Sequence, residues 1–167
     1  PSLALRAALL GALAIVVADA ARARLFTWKA DPEDQAAPTL RERADLVSPE
    51  RRMRPRELWT DARPRGNVNA GGHGDPIDDH RDDHLDEVDR RFAASVVAQV
   101  AKLVDDSACG RVALVASPRF LGHLREHTAP LRQRGVTIEE VGRDLTTETV
   151  PELRAHLGAF GVLPRPR

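Results

Sequence analysis

The amino-acid sequence predicts an α/β fold with a mixed, largely parallel central sheet flanked by helices. Three observations predict it. Val112 to Ala116 is an unbroken apolar run, short enough for a strand covered on both faces, as strands of parallel sheets are. Ser117 and Pro118 follow at once, a residue suited to a helix N-cap and one suited to the first helical position. Upstream, Leu85, Val88, Phe92, Val96, Val100 and Leu103 recur at spacings of three and four, the period of a helix with one apolar face. A long helix that feeds a buried strand, which then turns into a second helix, belongs to a βαβ arrangement.

Taken in order, residues 1–13 form an N-terminal extension and residues 14–160 a single domain, with a flexible loop at 60–83 and a tail at 161–167. Ile15 to Ala18 reads as a buried strand, Asp19 to Arg24 as a connection, and Leu25 to Trp28 as a second strand. Asp31 to Pro38 is a loop rich in Asp, Pro, Gln and Ala. Leu40 to Val47 alternates apolar and charged residues, which suits a strand with one solvated face, and Ser48-Pro49-Glu50 opens a short helical turn. The long helix is predicted over His84 to about Val104, with Asp86–Arg90 and Glu87–Arg91 as i,i+4 pairs. Cys109 falls in the loop before the central strand, and Gly135 ends a short helical piece ahead of a strand over Val136 to Val141. Thr149 to Glu152 is a capping box, opening a helix that buries Val150, Leu153 and Leu157.

Lysine plus arginine and aspartate plus glutamate both number 25, so no overall field draws the chain to nucleic acid or lipid. Any such binding must be local. One cysteine excludes an internal disulfide framework and cysteine-based zinc sites. Leu3 to Ala18 is apolar apart from Arg6, which raises a signal-peptide alternative for residues 1–21. Asp19, Arg22 and Arg24 close behind it favour a first strand and its turn, and with them a cytoplasmic protein without membrane insertion.

Several blocks stand in a fixed order. They are residues 16–26 (Val-Val-Ala-Asp-Ala-Ala-Arg-Ala-Arg-Leu-Phe), Gly71-Gly72 with Asp75-Pro76, Arg91-Phe92-Ala93, residues 116–122 (Ala-Ser-Pro-Arg-Phe-Leu-Gly), Arg143-Asp144-Leu145-Thr146 and Pro151-Glu152-Leu153-Arg154. Together they resemble the bacterial host attachment family, proteins required for attachment to host cells. More remotely that family is similar to the middle domain of archaeal and eukaryotic peptide-chain release factors and of Pelota. The resemblance implies a ribonuclease H-like or release-factor middle-domain-like fold, with the ribosome or tRNA as partner. His73 stands where the release factors carry the glutamine of their Gly-Gly-Gln loop, which speaks against peptide release.

The candidate binding residues are Asp19, Arg22, Arg24, Gly71, Gly72, His73, Ser117 and Arg119. The arginines supply forked donors for phosphate, Ser117 and the amides beside it a helix N-terminus, and the glycines a close backbone approach. Arg51-Arg52-Met53-Arg54-Pro55-Arg56 with Trp59 adds a basic stretch with one aromatic, a pattern that suits RNA. No catalytic residue, metal or cofactor is assigned, and DNA is not an expected partner. The function expected is a non-enzymatic RNA- or ribosome-binding module. The alternatives are a surface or host-attachment interaction protein, and a metal-dependent hydrolase using the Asp/His-rich residues 73–84, in which His80 and His84 lie four apart. His123 and His127, also four apart, read as surface residues.

Overall fold

Seven consecutive apolar residues, Ala12–Ala18, form the first strand, β1, and none of them reaches solvent. A strand can be apolar on every side chain only where both faces of the sheet are covered. In the computed structural model, which describes residues 11–29, 38–52 and 76–165, β1 lies at the centre of a five-stranded sheet. Its partners are β2 (Arg22–Lys29) and β3 (Thr39–Val47) on one side, β4 (Cys109–Ala116) and β5 (Thr137–Val141) on the other, in the order β3-β2-β1-β4-β5. The pairings β1–β2 and β2–β3 are antiparallel, while β1–β4 and β4–β5 are parallel. Only β2 therefore runs against the rest, and the carboxyl ends of the other four strands share one edge. This is the mixed, largely parallel sheet flanked by helices that the sequence predicts.

The two faces bury different helices. Alternate residues Ala14, Val16 and Ala18 of β1, with Val112, Leu114 and Ala116 of β4, pack against α2 (Pro76–Ser107), α3 (Pro118–Arg125) and α4 (Ala129–Gln133). Alanines on this face let the long α2 come close, and its Phe92, Ala93, Val96 and Val100 cover them. The opposite face carries Leu13, Ile15, Val17, Phe26, Ala113 and Val115. It is covered by Leu153 and Leu157 of α5 (Val150–Ala159) and by Val162 and Leu163 beyond it. The short α1 (Pro49–Arg52) follows β3.

Some boundaries differ from those read in the sequence. The connection predicted over Asp19 to Arg24 shrinks to three residues, because Asp19 Oδ1 accepts the amides of Ala21 and Arg22, both at 2.8 Å, and closes a tight hairpin. Helix α2 begins at Pro76, eight residues before His84, so the loop expected over 60–83 is helical from residue 76. Residues 53–75 lie outside the described residues. Residues 12 and 13, assigned to an N-terminal extension, belong to the central strand. Cys109 is the buried first residue of β4 rather than a loop residue, and burial pushes its thiol pKa up. Glu87 faces Arg90, and Arg91 reaches Glu50 instead of Glu87. The capping box is formed on both sides: Thr149 Oγ1 accepts the Glu152 amide and Glu152 accepts the Thr149 amide.

Ile15 is fully buried in the middle of the sheet, against the α5 layer. Ile15→Ala should lower stability by about 2–5 kcal/mol, read as a drop in denaturation midpoint at unchanged m-value.

Candidate functional site

Strand direction gathers the candidate residues. The strands β1, β3, β4 and β5 end at one edge, β2 begins there, and the turns that follow carry Asp19, Arg22, Ser117 and the segment after β5. The amide of Ser117 bonds to the carbonyl of Ala18 (3.3 Å), which carries the β1–β4 ladder one step past the strand ends. The N-terminal half of α2 and the start of α3 reach the same edge.

The arginines there do different work. Arg24 is 7% exposed; its Nε and Nη2 bind Glu42 at 2.8 and 3.1 Å, and its Nη1 binds the carbonyls of Thr146 and Glu148 at 3.2 and 2.6 Å. It is a clasp between β2, β3 and the segment that crosses from β5 to α5. Arg22 grips both oxygens of Asp45 on β3, at 2.8 and 2.6 Å. Arg119 differs: its side chain is 70% exposed, and among the described residues only Nη2 is engaged, with Asp86 Oδ1 at 3.0 Å. Most of its donors still point to solvent.

Asp19 is held as firmly as Arg24. One oxygen closes the hairpin, and the other lies 3.2 Å from the hydroxyl of Thr146, which also bonds to Asp144 at 2.8 Å. Ser117 is the N-cap residue of α3, as the sequence predicts, but not through its side chain. Its hydroxyl makes no cap hydrogen bond; the Ser117 carbonyl instead accepts the Leu121 amide at 2.8 Å. Gly71, Gly72 and His73 lie outside the described residues.

Behind Arg119 sits a group that the sequence reading missed. Asp86 and Asp89 on α2, one turn apart, meet His123 on α3, and one oxygen or nitrogen of each lies within 4.8 Å of the other two. Asp89 is 1% exposed and is held through both oxygens by Arg51 of α1, at 2.9 and 2.8 Å. That bond raises the Arg51 pKa first of all, and Asp19 and Asp86 add to it, so α1, α2 and the β1 turn share one electrostatic neighbourhood. His123 is not a surface residue: it is 8% exposed, with its ring against Phe120. Asp86, Arg119, Gly122, His123, Arg125 and Glu126 line an open groove of about 620 Å³ over this group. The signal available in sequence was the i,i+3 spacing of Asp86 and Asp89; the pairing of α2 with α3 had no local mark. The metal-binding alternative over residues 73–84 finds no such grouping among its described side chains, since Asp82 and Asp83 are exposed and His84 faces Glu50 at 3.7 Å.

Residues 14–157 match the family described as "Protein required for attachment to host cells". No curated protein matches the chain. Among solved structures, the Ppx/GppA phosphatase of Aquifex aeolicus (type II variant) is similar at 16% identity and a TM-score of 0.40, over 78% of this chain and 35% of the phosphatase. RuvC of Thermus thermophilus is similar at 11% identity and a TM-score of 0.41, over 93% of this chain and 83% of RuvC. The chain thus spans about a third of the phosphatase's length.

Arg24→Ala should cost about 2–4 kcal/mol, because it strands two carbonyls and a carboxylate. Arg119→Ala should stay within about 0.5 kcal/mol. Parallel denaturation curves compare them. Hydrogen-bonded arginines hold Asp86, Asp105 and Glu140 below the ordinary carboxylate range (Arg119, Arg134 and Arg125 respectively). Each then stabilises the fold above the unfolded-state pKa and loses that contribution as pH falls through its lowered folded value. Melting temperature should therefore hold near neutrality and fall below about pH 4, as a pH series of thermal melts would record.

Proposed function

The chain belongs to the family of proteins required for attachment to host cells, and on that premise we propose that it is a non-enzymatic module that binds RNA, free or ribosomal, through the carboxyl edge of its sheet. The observation that carries this reading is Arg119. It stands at the start of α3, 70% exposed, with one nitrogen on Asp86 and its other donors open to a phosphate. The amides of the α3 N-terminus lie beside it, a favourable setting for an anion.

Two features of the chain support the same edge. Helix α1 and the N-terminal half of α2 sit at it, and the sequence between these two helices holds Arg54, Arg56, Arg63 and Arg65. The groove under Arg119 also presents Arg125, whose partner is Glu140. Arg22 and Arg24 hold the edge together, and the contact is centred on Arg119 instead. The resemblance to release-factor middle domains rests on the sequence blocks and supplies the class of partner. The competing reading is a protein–protein attachment role, which the family description favours. Among the described residues no helix is long and apolar enough to cross a membrane.

The full chain, captured from native lysate, should retain ribosomes or tRNA, and nuclease treatment should release them. Binding to purified tRNA or ribosomes should weaken steeply between about 50 and 200 mM salt, and Arg119→Ala should lower the slope of log affinity against log salt by about one. Partners that survive nuclease, with no affinity for RNA at low salt, would overturn this reading in favour of attachment.

A further inference from the structure

We propose that Asp86, Asp89 and His123 form a binding site for a divalent transition-metal ion such as Zn²⁺ or Mn²⁺. The three side chains come from two helices, with His123 far beyond Asp86 and Asp89 in sequence, and one donor atom of each lies within 4.8 Å of the others. Carboxylates clustered on a helix would not by themselves indicate a ligand. The second observation is His123. Its side chain is 10% exposed, its Nδ1 has no hydrogen-bond partner among the described residues, and its Nε2 is 3.6 Å from Asp86 Oδ1. That separation is too long for a hydrogen bond. It suits two donors on one ion, since tetrahedral bonds of about 2.0–2.2 Å place neighbouring donors about 3.4 Å apart.

The donor set selects the class of metal. One imidazole and two carboxylates favour zinc, manganese, cobalt or nickel, whereas calcium and magnesium prefer oxygen alone. Arg51 is placed as an outer partner. It takes one lone pair from each oxygen of Asp89, fixes that carboxylate's orientation, and leaves its remaining lone pairs for an ion. Three protein donors leave further coordination positions to water, which reaches the group through the groove beside Gly122. Arg119 is the competing cation: it holds the Asp86 oxygen nearest His123, and with most of its side chain in solvent it is free to swing away. This site does not depend on the RNA reading, and the two make opposite demands on Arg119.

The test titrates the full chain, freed of metal by chelator, with ZnCl₂ and MnCl₂ in a calorimeter, with CaCl₂ as the control. One equivalent of Zn²⁺ or Mn²⁺ should bind and raise the melting temperature, and Co²⁺ should give visible absorption bands shifted by a nitrogen donor. Asp86→Asn, at a half-buried helix position, should keep the fold and weaken binding at least 100-fold. His123→Asn should abolish the cobalt signature, and Arg119→Gln should tighten binding several-fold by removing the competing charge. Failure to bind Zn²⁺ or Mn²⁺ at millimolar concentration would overturn the proposal. So would binding that Asp86→Asn and Arg119→Gln both leave unchanged.

Discussion

The parallel pairing of β1 with β4 is the constraint on which the rest of the structure depends. From Leu13 opposite Arg111 to Ala18 opposite Ala116, two strands distant in sequence lie side by side and are buried along nearly their whole length. A parallel pair needs a crossover to bring the chain back to the starting edge. The 32 residues of α2 supply it, and they dictate that α2 starts where β1 ends. Every feature of the carboxyl edge follows from that geometry: the turn at Asp19, the start of α3 and the first half of α2 must meet. Asp86, Asp89 and His123 are neighbours because two consecutive crossovers, β3 to β4 and β4 to β5, lie on the same face of the sheet.

Charge at this edge is largely internal. Arg22 with Asp45, Arg24 with Glu42, Arg51 with Asp89 and Arg119 with Asp86 form a row of matched pairs running from β3 to α3. The exposed pairs among them, Arg22 with Asp45 and Arg119 with Asp86, add little stability, and their larger effect is positional. They fix which guanidinium is locked into the fold and which can turn to a ligand. The gradient runs from Arg24, 7% exposed with every nitrogen engaged, to Arg119 with one.

Much of the fold was legible in the chain because its strongest signals are local. Val112 to Ala116 is apolar without interruption, α2 repeats its apolar residues at helical spacing, and Thr149 and Glu152 carry a reciprocal cap in four letters. The family, too, was visible in ordered blocks spread over most of the domain. What local pattern could not supply was partnership across the fold. Arg24 looked like a phosphate ligand, because nothing near it in sequence announces that Thr146 and Glu148 will take its donors. Asp19 looked like a site residue and is occupied with its own hairpin. His123 looked like a surface residue, since its burial arises where α3 leans on α2, and Phe92 and Phe120, with ring centroids 5.8 Å apart, mark that contact only once the helices are placed. The start of α2 was set too late because the acidic residues before His84 carry no apolar period, although they suit the positive end of a helix dipole.

The strap from β5 to α5 has one consequence of its own. Among the described residues the last helix is the one helix on its face of the sheet, tied back by a short irregular segment in which Arg24 takes the carbonyls of Thr146 and Glu148, Asp19 takes the hydroxyl of Thr146, and Leu145 is buried. The opposite face is covered by three helices. When the domain loosens, the two sides should therefore part company at different moments: amide protons of residues 150–159 should trade with solvent ahead of those in the Val96–Val104 stretch, making the carboxyl-terminal helix the first piece of the molecule to come undone.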